Sequence, residues 1–150
     1  MTAAWPGQRH IEDVEVGEEF ERTQHFDADY IDRYYEATNG LGGSRPPRDG
    51  RYTDLATARR NGLERPMVPG PMSQTMAMQM MTAWMGPLGR LRSIDVSFRR
   101  PVLRDSVMRC VILVTDVHED GLVTLDVTVE SETGERAVLG TATVELPRRS

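Results

Sequence analysis

Gly70-Pro71-Met72-Ser73-Gln74-Thr75-Met76-Ala77-Met78-Gln79-Met80-Met81-Thr82-Ala83-Trp84-Met85 is the stretch on which the fold turns. Glycine followed by proline opens a helix well, because the amide that proline lacks would find no partner in the first turn. Met72, Met76 and Met80 recur every four residues, while Met78, Met81 and Met85 broaden the stripe. Almost every turn is apolar, so the spacing predicts a helix buried over most of its circumference. Methionine fills core gaps, and it also makes a soft wall that repacks around varied apolar shapes such as an acyl chain. A helix this apolar needs a sheet on one side, and its outer side predicts a dimer.

Gly86-Pro87-Leu88-Gly89 ends the helix, and the chain beyond it reads as strand. Ile94, Val96 and Phe98 alternate with polar neighbours, Val107 to Val117 is rich in β-branched residues, and Val123 to Val129 alternates again. His118-Glu119-Asp120-Gly121 and Glu132-Thr133-Gly134-Glu135 are turns, and Ala137 to Leu146 closes the set. Before the helix, residues 1–16 form a lead-in with Val14 and Val16 able to pack. Glu18 to Phe26 predicts a strand. Asp27 caps a helix whose Tyr30, Ile31, Tyr34 and Tyr35 share one face, ending near Asn39-Gly40. Four glycines and two prolines between Gly40 and Tyr52 make residues 40–51 a loop. Asp54 to Asn61 predicts a short helix ended by Gly62, and Arg148-Arg149-Ser150 a frayed tail. The order implies one α+β domain over residues 1–150, an antiparallel sheet wrapped around a long central helix.

Composition narrows the function. The chain has 150 residues, is 39% hydrophobic and 27% charged, and has a formal net charge of −5. Mild acidity argues against nucleic-acid binding, which needs a concentrated positive field. There is no lysine, which removes Schiff-base catalysis, lysine-anchored pyridoxal phosphate and a lysine-bearing phosphate loop. Cys110 is the only cysteine, so no internal disulfide forms and a cytoplasmic setting is expected. No apolar run reaches membrane-spanning length, and no signal segment stands at the start. His10, His25 and His118 have no second ligand at metal-binding spacing, so no metal site is expected.

Three groups of residues point further. Ile11 to Glu18 precedes the segment Asp27 to Asn39. Tyr52-Thr53-Asp54, Ala58, Gly62 and Pro66 to Ser73 follow. Phe98-Arg99-Arg100-Pro101-Val102 and Gly140-Thr141-Ala142-Thr143-Val144 lie in the closing strands. In these residues nearly the whole chain resembles a single hot-dog domain of the MaoC-like dehydratase type, related to (R)-specific enoyl-CoA hydratases. The resemblance implies a 3-hydroxyacyl or 2-enoyl thioester of coenzyme A or an acyl carrier protein as substrate. It implies no other cofactor, reversible addition of water (a lyase reaction of fatty acid or polyketide metabolism), and assembly as a homodimer or with another hot-dog chain.

The family's hydratases carry Asp-x-Asn-Pro-x-His, followed by Asp, Ala and Gly at fixed offsets. Asp54, Ala58 and Gly62 keep those offsets from Tyr52, which therefore stands in the histidine position. Pro47 stands in the aspartate position, Asp49-Gly50 replaces Asn-Pro, and the loop is longer than the family's. Tyrosine in that position resembles the non-catalytic halves of paired MaoC-like dehydratases, which bind part of the acyl chain. Val68-Pro69-Gly70, where active members often have Val-His-Gly, points the same way.

The candidate residues follow. Gly70 would offer its helix-start amide to the thioester oxygen, or else be a glycine required by close packing. Asp49 and Tyr52 are candidates for proton transfer. Asp49, between Arg48 and Arg51, equally suits a solvated or ion-paired carboxylate, and a tyrosine with its ordinary pKa of about 10 is a weak base. Arg48 and Arg51 could grip carrier phosphates or simply be solvated. Asn39, Met72, Ser73 and Met76 are candidates for substrate contact. Asp54 suits a helix cap better than a catalyst, and His25 is a weaker candidate base. Three functions stay open: a hydratase or dehydratase, a non-catalytic acyl-binding subunit of an active hot-dog partner, and a repurposed thioesterase or biosynthetic cyclase.

Overall fold

The structure, a computed structural model, describes residues 7–39, 52 and 54–150. A short 3-10 turn (Ile11–Asp13) leads into strand β1 (Glu19–His25) and helix α1 (Ala28–Asn39). Helix α2 (Leu55–Arg60) and the long helix α3 (Gly70–Met85) follow, then strands β2 (Arg90–Phe98), β3 (Val107–Val117), β4 (Leu122–Ser131) and β5 (Arg136–Glu145). The five strands form one sheet, ordered β1-β3-β4-β5-β2, with every neighbouring pair antiparallel. This is the expected α+β architecture.

Period-two alternation gives the sheet its apolar face. Cys110, Ile112 and Val114 of β3, Val123, Leu125, Val127 and Val129 of β4, and Val138, Ala142 and Val144 of β5 are all buried in one cluster with α3. Each fully buried Val, Leu or Ile among them gains about 1.5–3 kcal/mol over leaving it in water. Gly140 is dictated by sheet geometry: a Cβ there would lie 2.1 Å from the Asp95 carbonyl oxygen, so only glycine lets β5 approach β2.

Helix α3 is less uniformly buried than its composition suggests. The buried positions pair up as Met72 and Ser73, Met76 and Ala77, Met80 and Met81, Trp84 and Met85. Thr75, Met78, Gln79, Thr82 and Ala83 form an exposed stripe opposite them. Burial therefore follows the i, i+4 geometry of one face, and Met78 falls outside it.

At the N-terminus Val14 packs as expected, Val16 stands in solvent instead, and the lead-in from residue 7 is hydrogen-bonded into the fold. Ile11 N–H donates to the Pro147 carbonyl at 2.9 Å, and Gly17 N–H to the Val114 carbonyl at 2.8 Å. The tail is anchored too, because the Arg149 guanidinium lies 2.6 Å from Asp13. A charged residue beyond the last strand found a carboxylate on the opposite terminus, a pairing invisible to local pattern.

Candidate active site

The start of α3 is fixed by backbone stitching. Val68 N–H donates to the Val102 carbonyl at 2.7 Å, Arg104 N–H to the Pro66 carbonyl at 2.9 Å, and Met67 bridges Leu103. These bonds carry the chain to Pro69 and Gly70 and aim the helix N-terminus at the end of β2. Pro71 removes one donor from the first turn, and Met72 N–H is spent on the Pro69 carbonyl at 3.0 Å. Among the described residues no acceptor is present for Gly70 N–H.

A cavity of about 450 Å³ opens over this amide. Met67, Val68, Pro101 and Val102 give it apolar walls, Ser73 contributes a hydroxyl, and Tyr52 and Phe98 complete the sides with Arg99 and Arg100. Ser73 is 1% exposed and the only buried polar side chain among the described residues. Phe98 is 52% exposed, with its ring against the helix start: a Cβ at Gly70 would lie 3.0 Å from Phe98 Cε1. Gly70 therefore permits the aromatic ring to approach the helix end.

The predicted residues divide three ways. Tyr52, Gly70 and Ser73 are brought together on the cavity. Met72 and Met76, 2% and 0% exposed, are in the core and do not line it. Arg48, Asp49, Arg51 and the side chain of Asn39 lie outside the described residues. Asp54 caps α2, with Oδ2 accepting from Thr57 N–H at 3.0 Å and from Thr57 Oγ1 at 2.6 Å. Those bonds hold its carboxyl below the ordinary range, as a cap requires. Burial pushes the Tyr35 phenol above its ordinary value against the opposing pull of Arg104, with Tyr52 and Tyr34 adding to the rise. At neutral pH Tyr35 is therefore a protonated neighbour of Tyr52. His25 lies between Asp27 and Asp105, 3.9 Å from each, and does not line the cavity. No helix among the described residues is long and apolar enough to cross a membrane.

No family model matches the sequence, and no curated protein matches it. Solved structures do. The (R)-hydratase from A. caviae involved in PHA biosynthesis aligns at TM-score 0.77 and 23% identity, over 91% of this chain and 99% of that one. The MaoC-like dehydratase from Rhodospirillum rubrum aligns at 0.71 and 19%, over 95% and 99%. A chain of the ChsH1-ChsH2 complex from Mycobacterium tuberculosis aligns at 0.73 and 22%, over 88% and 98%. The chain has the hot-dog fold. Identities this low carry the architecture, so the chemistry of this hot-dog chain has to be read from its own cavity.

That cavity contains residues that sequence reasoning did not assign to the site: Phe98, Arg99 and Arg100. They were visible as a motif next to Pro101. Their signal was two adjacent arginines beside an aromatic residue at the end of a strand, which tells of a site only once the helix start is known to face it. Among the described lining residues there is no carboxylate and no imidazole. The arrangement can hold an oxygen at the Gly70 amide and an apolar group against Val68 and Val102. Its described hydroxyls, on Tyr52 and Ser73, are suited to donating hydrogen bonds more than to abstracting protons.

Proposed function

We propose that this chain binds a 3-hydroxyacyl or 2-enoyl thioester, on coenzyme A or an acyl carrier protein, as the acyl-binding member of a dehydratase or hydratase pair. One observation carries the reading: an apolar cavity over an unspent helix-start amide, with neither carboxylate nor imidazole among its described lining residues. Adding or removing water at the α and β carbons needs a group to take a proton and a group to give one. A phenol and an aliphatic hydroxyl are poor bases at neutral pH. A partner hot-dog chain with the intact Asp-x-Asn-Pro-x-His motif would supply the chemistry, while Gly70 steadies the thioester oxygen here. The outer edges of β1 and β2, unpaired among the described residues, and the exposed stripe of α3 would offer surfaces for pairing with that chain or with a second copy. The chain acts as one domain in the cytoplasm, where the buried Cys110 stays reduced.

A second reading is favoured by one specific fact, that Tyr52 lines the cavity. Here the chain is itself the lyase, with Asp49 and Tyr52 in proton transfer. The two readings separate when the purified chain is given crotonyl-CoA and a longer 2-enoyl-CoA and the enoyl absorbance is followed. The acyl-binding reading expects saturable binding without turnover, and turnover only when an active hot-dog chain is added. Turnover by the chain alone that collapses in Asp49→Asn or Tyr52→Phe would overturn it in favour of the second.

A further inference from the structure

Ser73 is the polar residue that the core does not explain. It is 1% exposed, on the buried face of α3, and one turn further on the matching position is an equally buried Ala77. A core position needs no hydroxyl, and a buried hydroxyl without a hydrogen bond works against folding. A helical serine or threonine ordinarily resolves this by donating to the carbonyl four residues back. Thr82, on the exposed stripe of the same helix, does so: its Oγ1 donates to the Met78 carbonyl at 2.8 Å. Ser73 Oγ finds no partner among the described residues, the Pro69 carbonyl included.

What this residue does face is the cavity, which it lines together with Gly70, three residues earlier. Residues i and i+3 lie on one face of a helix, and each side chain leans back toward the N-terminus. The Ser73 hydroxyl and the Gly70 amide therefore border the same space, about 4.5 Å apart along the axis at 1.5 Å per residue. Met67, Val68 and Val102 make the walls around them apolar. An acyl chain whose thioester oxygen rests at Gly70 thus meets a single polar point one short turn away. A hydroxyl both donates and accepts, so its complement is another neutral hydroxyl rather than an ion. On such a chain an oxygen on the third carbon spans that distance from the thioester oxygen.

We propose that Ser73 is a specificity-determining residue of this cavity, its hydroxyl pairing with a hydroxyl on the third carbon of the acyl group. The assignment rests on the thioester reading above and deepens it. Of the two thioesters, the 3-hydroxyacyl ester satisfies the buried hydroxyl and the 2-enoyl ester leaves it unpaired. A site that buries a polar group for a ligand hydroxyl rejects the analogue lacking it, because the unpaired group is then sealed in. Ser73 moves no proton in this role; it sorts ligands.

Equilibrium binding to the purified chain is measured for both enantiomers of 3-hydroxyoctanoyl-CoA, for 5-hydroxyoctanoyl-CoA, for octanoyl-CoA and for trans-2-octenoyl-CoA. The proteins compared are the wild type, Ser73→Ala and Ser93→Ala, the last removing an exposed hydroxyl from β2. The wild type and Ser93→Ala should bind one 3-hydroxy enantiomer about tenfold more tightly than octanoyl-CoA, with the 5-hydroxy and enoyl esters no better than octanoyl-CoA. In Ser73→Ala that preference should shrink to within about twofold, the 3-hydroxy ester weakening while octanoyl-CoA holds. Without ligand, Ser73→Ala should unfold at or above the wild-type temperature, since alanine keeps the packing and removes an unpaired hydroxyl. A lower unfolding temperature would assign the hydroxyl to the fold and overturn the proposal. A preference that is absent from the wild type, survives Ser73→Ala or attaches to the 5-hydroxy ester overturns it too, and leaves the thioester reading standing. Equal weakening of the hydroxylated and plain esters does the same, by putting Ser73 on the thioester oxygen. If no ester binds the wild type, both readings are overturned together.

Discussion

The two ends of α3 are built on opposite plans. At the C-terminal end side chains from elsewhere in the chain close over the last turn. The Gln8 side chain donates to the Met85 carbonyl at 2.8 Å, and its oxygen accepts from Leu88 N–H at 2.6 Å. Trp84 stacks on Phe20 with centroids 5.1 Å apart, donates Nε1–H to Glu18 at 3.1 Å, and lies 4.9 Å beneath the Arg9 guanidinium. At the N-terminal end the first turn has a proline, no side-chain cap and an amide without a described acceptor, and a cavity takes the place of a plug. Both ends carry orphan backbone groups by the nature of a helix. The C-terminal end is covered by side chains from the lead-in and β1, while the N-terminal end opens on a cavity, and it is this difference on which the proposed binding role rests.

The comparison can be broken from the closed end first. Trp84→Ala removes a nearly buried ring together with its stacking and its hydrogen bond, and should cost about 3–5 kcal/mol of stability. Denaturant unfolding measures this. If the ends are independent, the thioester affinity of the folded variant should stay as in the wild type. Gly70→Ala is the counterpart at the open end. Its stability should change by no more than about 1 kcal/mol, because alanine favours the helix while crowding a movable, half-exposed ring. Its thioester affinity should fall by about tenfold as the added methyl crowds the Phe98 ring toward the cavity, and Phe98→Ala in the same chain should relieve the crowding and restore it. A Gly70→Ala protein that binds normally would show that the helix start is merely close-packed.

The sheet was the legible part of the sequence. Four-residue spacing put Met76 on the stripe of α3 but left it a candidate for substrate contact, whereas it lies in the core; alternation along β4 marks which side chains face the helix, so Val127 could be placed from pattern alone. Met78 could not, because an apolar composition conceals which face turns outward. The open end was legible by half. Gly70, Ser73 and Tyr52 were reachable through a resemblance in motif offsets, whereas Arg99 and Arg100 join the cavity through bonds to Ala137 far along the chain. Local pattern is silent about such long-range stitching, as it was about Arg149 docking on Asp13. Asp54 was legible for a third reason. A cap acts on the residues just after it, so its role is written within four positions.

That locality makes Asp54 the sharpest small test of whether the open end depends on its neighbours. The carboxyl lies below its ordinary value of 3.8 because Thr57 donates to the charged form through both its hydroxyl and its amide. A folded-state value below the unfolded one means the cap contributes fully above the unfolded value. Its contribution is lost as pH falls from 3.8 through the lower folded value. Asp54→Ala should therefore unfold somewhat earlier than the wild type at neutral pH, a modest effect for an exposed cap. The gap between the two should narrow as acid removes the wild-type contribution, which thermal unfolding at stepped pH would follow. A gap that stays constant down to the acid limit would mean the carboxylate is not what holds α2. Because Tyr52 precedes this cap closely in the chain, a thioester affinity that weakens along with the cap would show that α2 positions the phenol at the cavity.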